Sequence, residues 1–249
     1  MDFDKTGIII TGAGAGFGKA MALTFSKLGA KIYALDIDQL ALNSLYLEDN
    51  AISAFVCDVS DNIQVERVVD EIYALEKTVN VLINNAGIMK NSPMVNILSR
   101  PDSRHSVELW NNVIAINQNS VFYMTRSVAA KMIRNRNKGV IVNISSISAK
   151  GNAGQTAYAA SKAAVESMTK VWAKEFGYFG IRSVAVAPGF IDTAGTHNAL
   201  EEKMLAQWID KTPLRRTGNV SEVVSTVKFA IENDFVNGEV INVNGGLVV

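Results

Sequence analysis

Short runs of consecutive apolar residues alternate with longer helix-like segments along almost the whole chain. The apolar runs are GIIIT (7–11), KIYALD (31–36), AISAFVCD (51–58), VNVLINN (79–85), GVIVNIS (139–145), IRSVAVA (181–187) and EVINVN (239–244). Between them lie amphipathic or alanine-rich stretches at 17–29, 61–76, 106–135, 155–179 and 219–233. Strands that are apolar on both faces belong in a parallel sheet covered by helices on both sides. Seven of them, interleaved with helices, predict an α/β fold with a doubly wound, seven-stranded parallel sheet. No linker, internal repeat or low-complexity block interrupts the pattern, so residues 1–249 are expected to form one domain. Two connections, 88–106 and 190–215, are longer than the rest and follow the fourth and sixth strands. Ligands of open α/β sheets bind at the carboxyl ends of strands, which makes both segments candidate substrate loops.

The first strand runs into TGAGAGFG (11–18) and then a helical stretch, with Gly12, Gly16 and Gly18 spaced G-x-x-x-G-x-G. Glycines are needed in such a turn where a Cβ would block a pyrophosphate or the following helix. The helix N-terminus then offers amides and a partial positive charge. Strand, glycine-rich turn, helix and a second strand ending in Asp36 form a Rossmann-type nucleotide site, with the acid placed to accept hydrogen bonds from ribose hydroxyls. Its carboxylate would repel a 2′-phosphate, and neither Ala15 nor Ile37 supplies a cation. NAD is therefore expected over NADP. Asp58, ending the third strand, is a candidate for the adenine edge.

Composition narrows the function classes. The chain is 48 % hydrophobic and 19 % charged, which suits a large core and argues against disorder. A formal net charge of zero argues against nucleic acid or an acidic membrane as partner. Cys57 is the only cysteine, so no internal disulfide forms, and it reads as a small buried hydrophobe. The two histidines, His105 and His197, lack partners at metal-ligand spacing, so no metal is expected. The N-terminus has no targeting pattern and no run reaches membrane-spanning length, which makes a soluble cytoplasmic protein the expectation.

Within 155–176, QTAYAASKAAVESMTKVWAKEF, Tyr158 and Lys162 stand four residues apart and share a helix face. Such a pair fits a surface tyrosine on a lysine stem, or a phenol whose proton leaves beside an ammonium. The rest of the chain favours the second. TGAGAGFG (11–18), NNAG (84–87), Asn117, NISS (143–146), YAASK (158–162), PGFIDT (188–193) and NGEVINVNGG (237–246) occur in the order seen in short-chain dehydrogenases/reductases, which the chain resembles over nearly its whole length.

That resemblance implies an NAD-dependent oxidoreductase that moves a hydride between a nicotinamide and a secondary alcohol, sugar or polyol and its ketone. It implies Tyr158 as general acid/base, Lys162 as its partner on the nicotinamide ribose, and Asn117 linking the lysine to solvent. It also implies cofactor contacts from Gly12, Gly16, Phe17, Gly18, Asp36, Asp58, Val59, Asn85, Ala86, Gly87, Pro188, Gly189, Ile191 and Thr193, besides Tyr158 and Lys162. A homotetramer is implied, or a dimer. Lys162 and the nicotinamide charge are expected to favour phenolate at Tyr158, whose free pKa is about 10. The substrate-holding serine is expected at Ser146, the second of its pair, although distance to the tyrosine favours Ser145. Asn244 replaces the usual acid of the C-terminal motif. Candidate substrate contacts are Met89, Met94, Ile97, Ser148, Asn152, Phe190, Met204 and Trp208. The alternatives are a 3-oxoacyl-thioester reductase, which in this family usually favours NADP, and a catalytically silent NAD-binding regulator.

Overall fold

The central apolar runs form strands buried on both faces, while the two edge strands stay partly exposed. The computed structural model describes residues 1–98, 101–193 and 202–249, with side chains of the segment that resumes at 202 described from Ala206 onward. The strands are β1 (Gly7–Thr11), β2 (Lys31–Asp36), β3 (Ser53–Val56), β4 (Val81–Asn84), β5 (Gly139–Ile144), β6 (Ile181–Pro188) and β7 (Val240–Val243). They pair in the order β3-β2-β1-β4-β5-β6-β7, all parallel. The helices are α1 (Gly16–Lys27), α2 (Gln39–Glu48), α3 (Asn62–Leu75), α4 (Val107–Ile114), α5 (Ser120–Arg134), α6 (Thr156–Gly177), α7 (Glu202–Lys211) and α8 (Val220–Glu232). The doubly wound parallel sheet is as expected. Several strands are shorter than their apolar runs, because the flanking residues belong to turns. Among the described residues no helix is long and apolar enough to cross a membrane.

Strand alternation divides the core in two. Ile8 and Ile10 pack with Met21, Phe25, Leu42, Leu45 and Val227 under α1, α2 and α8, whereas Ile9 faces Val65, Val69, Met124 and Val128 of α3 and α5. Each such aliphatic side chain, fully withdrawn from water, contributes roughly 1.5–3 kcal/mol.

Two asparagine amides inside the sheet donate hydrogen bonds that tie the layers together. Asn84 donates its amide to Thr125 Oγ1 (3.1 Å) and Asn143 Oδ1 (2.8 Å), and Asn143 donates to Thr169 Oγ1 (2.9 Å). This ladder runs from α5 through β4 and β5 to α6, immediately below the site described next. At the other end of the sheet Arg182, buried in β6, donates to Ala230 O (2.8 Å), Ile231 O (2.9 Å) and Val236 O (2.9 Å). It thereby satisfies carbonyls that the end of α8 leaves open. Arg182→Leu is expected to lower unfolding free energy by about 3 kcal/mol, since it orphans these acceptors. Urea denaturation reads this directly, and an unshifted midpoint would show that the carbonyls find other partners.

Candidate active site

The sheet order reverses beside β1, and at the carboxyl ends of the strands there lies a cavity of about 880 Å³. Of the residues expected to contact a dinucleotide, all but Gly18 border it. Gly18 is buried in the first turn of α1, where a Cβ would stand 2.0 Å from Gly12 O. It is needed for close packing of turn and helix and does not border the cavity. Gly16 is the reverse case, with φ +54° and nothing within 4 Å of a built Cβ, so its bare α-carbon opens on the cavity.

The turn itself is held from β4. Thr11 Oγ1 accepts from the backbone N–H groups of Asn85 and Ala86, both at 3.0 Å, and Asn85 Nδ2 donates to Thr11 O and Gly12 O, both at 3.0 Å. Asn85 therefore fixes the turn's shape besides lining the cavity. Its partner Thr11 was not among the residues expected to matter. Asp38, Asp61 and Ser106 cap α2, α3 and α4 with their side chains, but Ala15 gives α1 none. The open amides of α1 and the glycine cradle suit the pyrophosphate of a dinucleotide. At the end of β2, Asp36 Oδ2 accepts from Gly14 N–H (2.8 Å) and Oδ1 from Asp38 N–H (3.0 Å), so the carboxylate is held in place. Asp58 Oδ1 accepts from the N–H and hydroxyl of Ser60, at 2.9 and 2.7 Å. Cys57 beside it is buried, and burial pushes its thiol up to about 11.

At the β5 end the structure brings Ser146, Tyr158 and Lys162 together. Ser146 borders the cavity beside Tyr158, and its hydroxyl accepts from Ser148 N–H at 3.1 Å, capping the short turn Ile147–Lys150. Ser145 faces elsewhere, its hydroxyl on Glu166 Oε1 (3.1 Å) and Lys162 O (3.3 Å). Lys162 is 4 % exposed; Nζ donates to Ile144 O at 2.8 Å and stands 5.8 Å from the centre of the Tyr158 ring.

Burial pushes Tyr158 up, partly offset by the Ser146 hydrogen bond, and burial pushes the Lys162 ammonium down to about 8. Both shifts have the same cause, since a dry pocket disfavours either charge.

Asn117 sits behind the cavity wall. It lies off the cavity, in a π-helical turn (Ala115–Asn119) between α4 and α5, and is fully buried. Its Oδ1 accepts from Ile88 N–H and its Nδ2 donates to Ile88 O, both at 2.8 Å, with Ser161 Oγ at 3.4 Å. The amide thus clamps the chain where it leaves β4, and Asn117 Oδ1 and Lys162 Nζ lie 3.2 and 3.5 Å from where a Cβ on Gly87 would stand. Widened turns of this kind recur at functional sites because they re-aim one side chain.

The loop 88–106 is pinned by Ser92 N–H to Gly154 O (2.7 Å) and by Gln155 Nε2 to Asn91 Oδ1 (2.9 Å). Gln155, buried at the start of α6, borders the cavity and was not anticipated. Met89, Ser148 and Phe190 line the cavity as proposed substrate contacts, whereas Met94 and Ile97 point to solvent. Asn152 hydrogen-bonds Gln155 (3.2 Å). Trp208 stacks on Phe190 with ring centres 4.9 Å apart, so it supports the wall instead of forming it. The Met204 side chain falls outside the described residues. Asn244 holds the C-terminal turn, donating to Leu247 O (2.8 Å) and accepting from Gly246 N–H (3.1 Å).

A family model described as short chain dehydrogenase matches residues 6–204. The chain is 41 % identical over 248 residues to a protein of Thermotoga maritima named 3-oxoacyl-acyl-carrier-protein reductase FabG, covering 97 % of each. It is 34 % identical over 254 residues to the (3R)-3-hydroxyacyl-CoA dehydrogenase of Canis lupus familiaris, covering 96 % of this chain and 95 % of that one. The crystal structure of a short chain dehydrogenase from Bacillus anthracis superposes with a TM-score of 0.87 at 28 % identity, covering 99 % of this chain and 97 % of that chain.

Proposed function

Because the chain belongs to the short-chain dehydrogenase family of oxidoreductases, we propose that it is an NAD(H)-dependent enzyme interconverting a secondary alcohol and its ketone, with a 3-hydroxyacyl/3-oxoacyl thioester as the pair to test first. The observation that carries the chemistry is the convergence of Ser146, Tyr158 and Lys162 on one cavity wall, with Lys162 Nζ 5.8 Å from the centre of the Tyr158 ring. The choice of thioester over a sugar or polyol rests on the names of the relatives and on the apolar wall formed by Ile88, Met89, Ile147 and Phe190.

The bound nicotinamide would supply or accept the hydride. The chain's own work is at the oxygen. Tyr158 Oη gives its proton to the carbonyl oxygen in reduction and takes it from the hydroxyl in oxidation. Ser146 Oγ donates to the same oxygen as charge develops on it. Lys162 in its ammonium form places a positive charge below the phenol, which favours phenolate. Asn117 acts one step back, by setting the Ile88 backbone on the cavity wall. A cytoplasmic homotetramer remains part of this reading.

NAD is favoured at the opposite end. Asp36 keeps lone pairs for ribose hydroxyls after accepting its two backbone donors. Among the described residues the cations bordering the cavity are Lys90 and Lys162, which lie toward β4 and β5, across β1 from Asp36. A 2′-phosphate at Asp36 would meet a carboxylate and no cation. Asp36→Ala is expected to lower the NADH over NADPH preference in kcat/KM by about 10- to 100-fold, the loss of one or two charge-assisted hydrogen bonds. The test follows NADH and NADPH oxidation with acetoacetyl-CoA, beside a panel of ketones and keto-sugars, for both proteins. An unchanged preference would place cofactor selection elsewhere, and turnover confined to keto-sugars would overturn the thioester.

A further inference from the structure

The geometry points to Glu166 as a positioning residue that sets the Ser146–Tyr158 contact by fastening both ends of the Ser146 segment to the helix carrying Tyr158. This rests on the proposed reading of Ser146 as the hydroxyl that holds the substrate oxygen.

Tyr158, Lys162 and Glu166 follow one another at four-residue intervals, so all three lie along one stripe of α6. The first two border the cavity, and the third is a carboxylate whose side chain is only 8 % exposed. An acid withdrawn from water this far must be paired or hydrogen-bonded at both oxygens. Its partners are specific. Glu166 Oε1 accepts from Ser145 Oγ at 3.1 Å, and Oε2 accepts from Lys150 Nζ at 3.0 Å.

Ser145 immediately precedes Ser146, and Lys150 ends the short turn that Ser146 caps. One carboxylate therefore grips the chain on either side of Ser146, and does so from the helix that presents Tyr158. The arrangement also divides the work of the two serines. Ser145 anchors the end of β5 to α6, leaving the Ser146 hydroxyl to the phenol. Without Glu166, the β5 side keeps only the links from Ser145 Oγ to Lys162 O and from Lys162 Nζ to Ile144 O, and the far side of the Ser146 turn loses the Lys150 ion pair that ties it to α6. Small displacements matter at such a contact, because misplacing a reacting group by about 1 Å can lower the rate about 100-fold.

The test compares Glu166→Leu, Glu166→Gln and Lys150→Met with the wild type, measuring kcat, KM, the pH dependence of kcat, NADH affinity and melting temperature with the ketone that wild type turns over best. Glu166→Leu is expected to lower kcat by about 10- to 100-fold with NADH affinity changed less than about twofold. Its pH profile should move to higher pH, because the Ser146 hydroxyl beside the phenol partly offsets the upward push of burial on Tyr158. Glu166→Gln, whose amide oxygen still accepts from Ser145, should recover most of the loss. Lys150→Met removes one grip at a half-exposed position and keeps the test available if Glu166→Leu does not fold. It should fall between the other two. The proposal is overturned if folded Glu166→Leu, or failing that Lys150→Met, keeps wild-type kcat and pH profile. It is equally overturned if kcat, NADH affinity and melting temperature fall together, which is the mark of general loosening. Failure of the underlying enzymatic reading would show separately, as Tyr158→Phe turning over normally.

Discussion

Tyr158→Phe is expected to reduce turnover about 10²- to 10⁴-fold, the usual weight of a general acid or base, while leaving NADH affinity within about twofold. The substitution removes one oxygen and keeps the ring that Lys162 underlies, so the cavity keeps its shape. Ser146 still accepts from Ser148 N–H, which leaves the turn after β5 capped. The proton donor alone is gone. The pH dependence gives a second reading of the same group. Burial raises the phenol's pKa, so at neutral pH Tyr158 is protonated, the form that ketone reduction uses. Reduction should therefore stay level through neutrality and fall as pH rises through the phenol's pKa. Alcohol oxidation needs phenolate and should climb over that same interval. Both limbs should vanish in the Phe variant's residual rate. Stopped-flow NADH absorbance across the pH range checks this, and a variant with wild-type turnover would assign the proton to another group.

The sheet was legible because buried parallel strands must be apolar on both faces. VLIN in β4 and GVIVNI in β5 are fully buried and stand out as unbroken runs. Helix α2 was not anticipated, for a related reason. Leu42 and Leu45 are its buried apolar residues, while Leu40, Tyr46 and Leu47 are exposed, so no helical period shows in QLALNSLYLE.

The glycine turn, Asp36 and the Tyr158–Lys162 pair were readable as residues of one cavity, because a nucleotide site and an acid/base pair call for those residue types at fixed offsets. The choice between Ser145 and Ser146 was not, because both offsets fit a helix that begins after a turn of unknown shape. The direction of each hydroxyl is decided only when Ser146 caps that turn and Glu166 takes Ser145. Asn117 was picked out by its place in a motif, but its contact depends on the π-helical turn, and nothing in AINQN announces one. The Tyr158 phenol shows a further limit. Spacing tells which charge is near, whereas the direction of the shift depends on how dry the pocket is.

Two alanine substitutions in one turn should have opposite signatures, because the two glycines are required for different reasons. Gly18→Ala places a methyl 2.0 Å from Gly12 O and 2.7 Å from Asn85 Nδ2. Neither atom is free to withdraw, since Asn85 Nδ2 is itself bonded to Thr11 O and Gly12 O, and the turn is held again through Thr11 Oγ1. Relief requires moving α1 away from β1, with loss of the contacts that Met21 and Phe25 make in the core. A cost of about 3 kcal/mol or more is expected, lowering the melting temperature by roughly 6–12 °C in a chain of this size. Gly16→Ala meets no atom within 4 Å, and its burden is the left-handed φ of +54°, worth about 1–2 kcal/mol for an L residue. Its methyl, however, stands at the open edge of the cavity where the α1 amides are exposed, so NADH affinity should fall about tenfold or more. Calorimetry and NADH titration on both variants separate the two outcomes. Equal losses of stability and affinity in both would mean that the turn acts as one indivisible unit, with no separation between the glycine that packs and the glycine that binds.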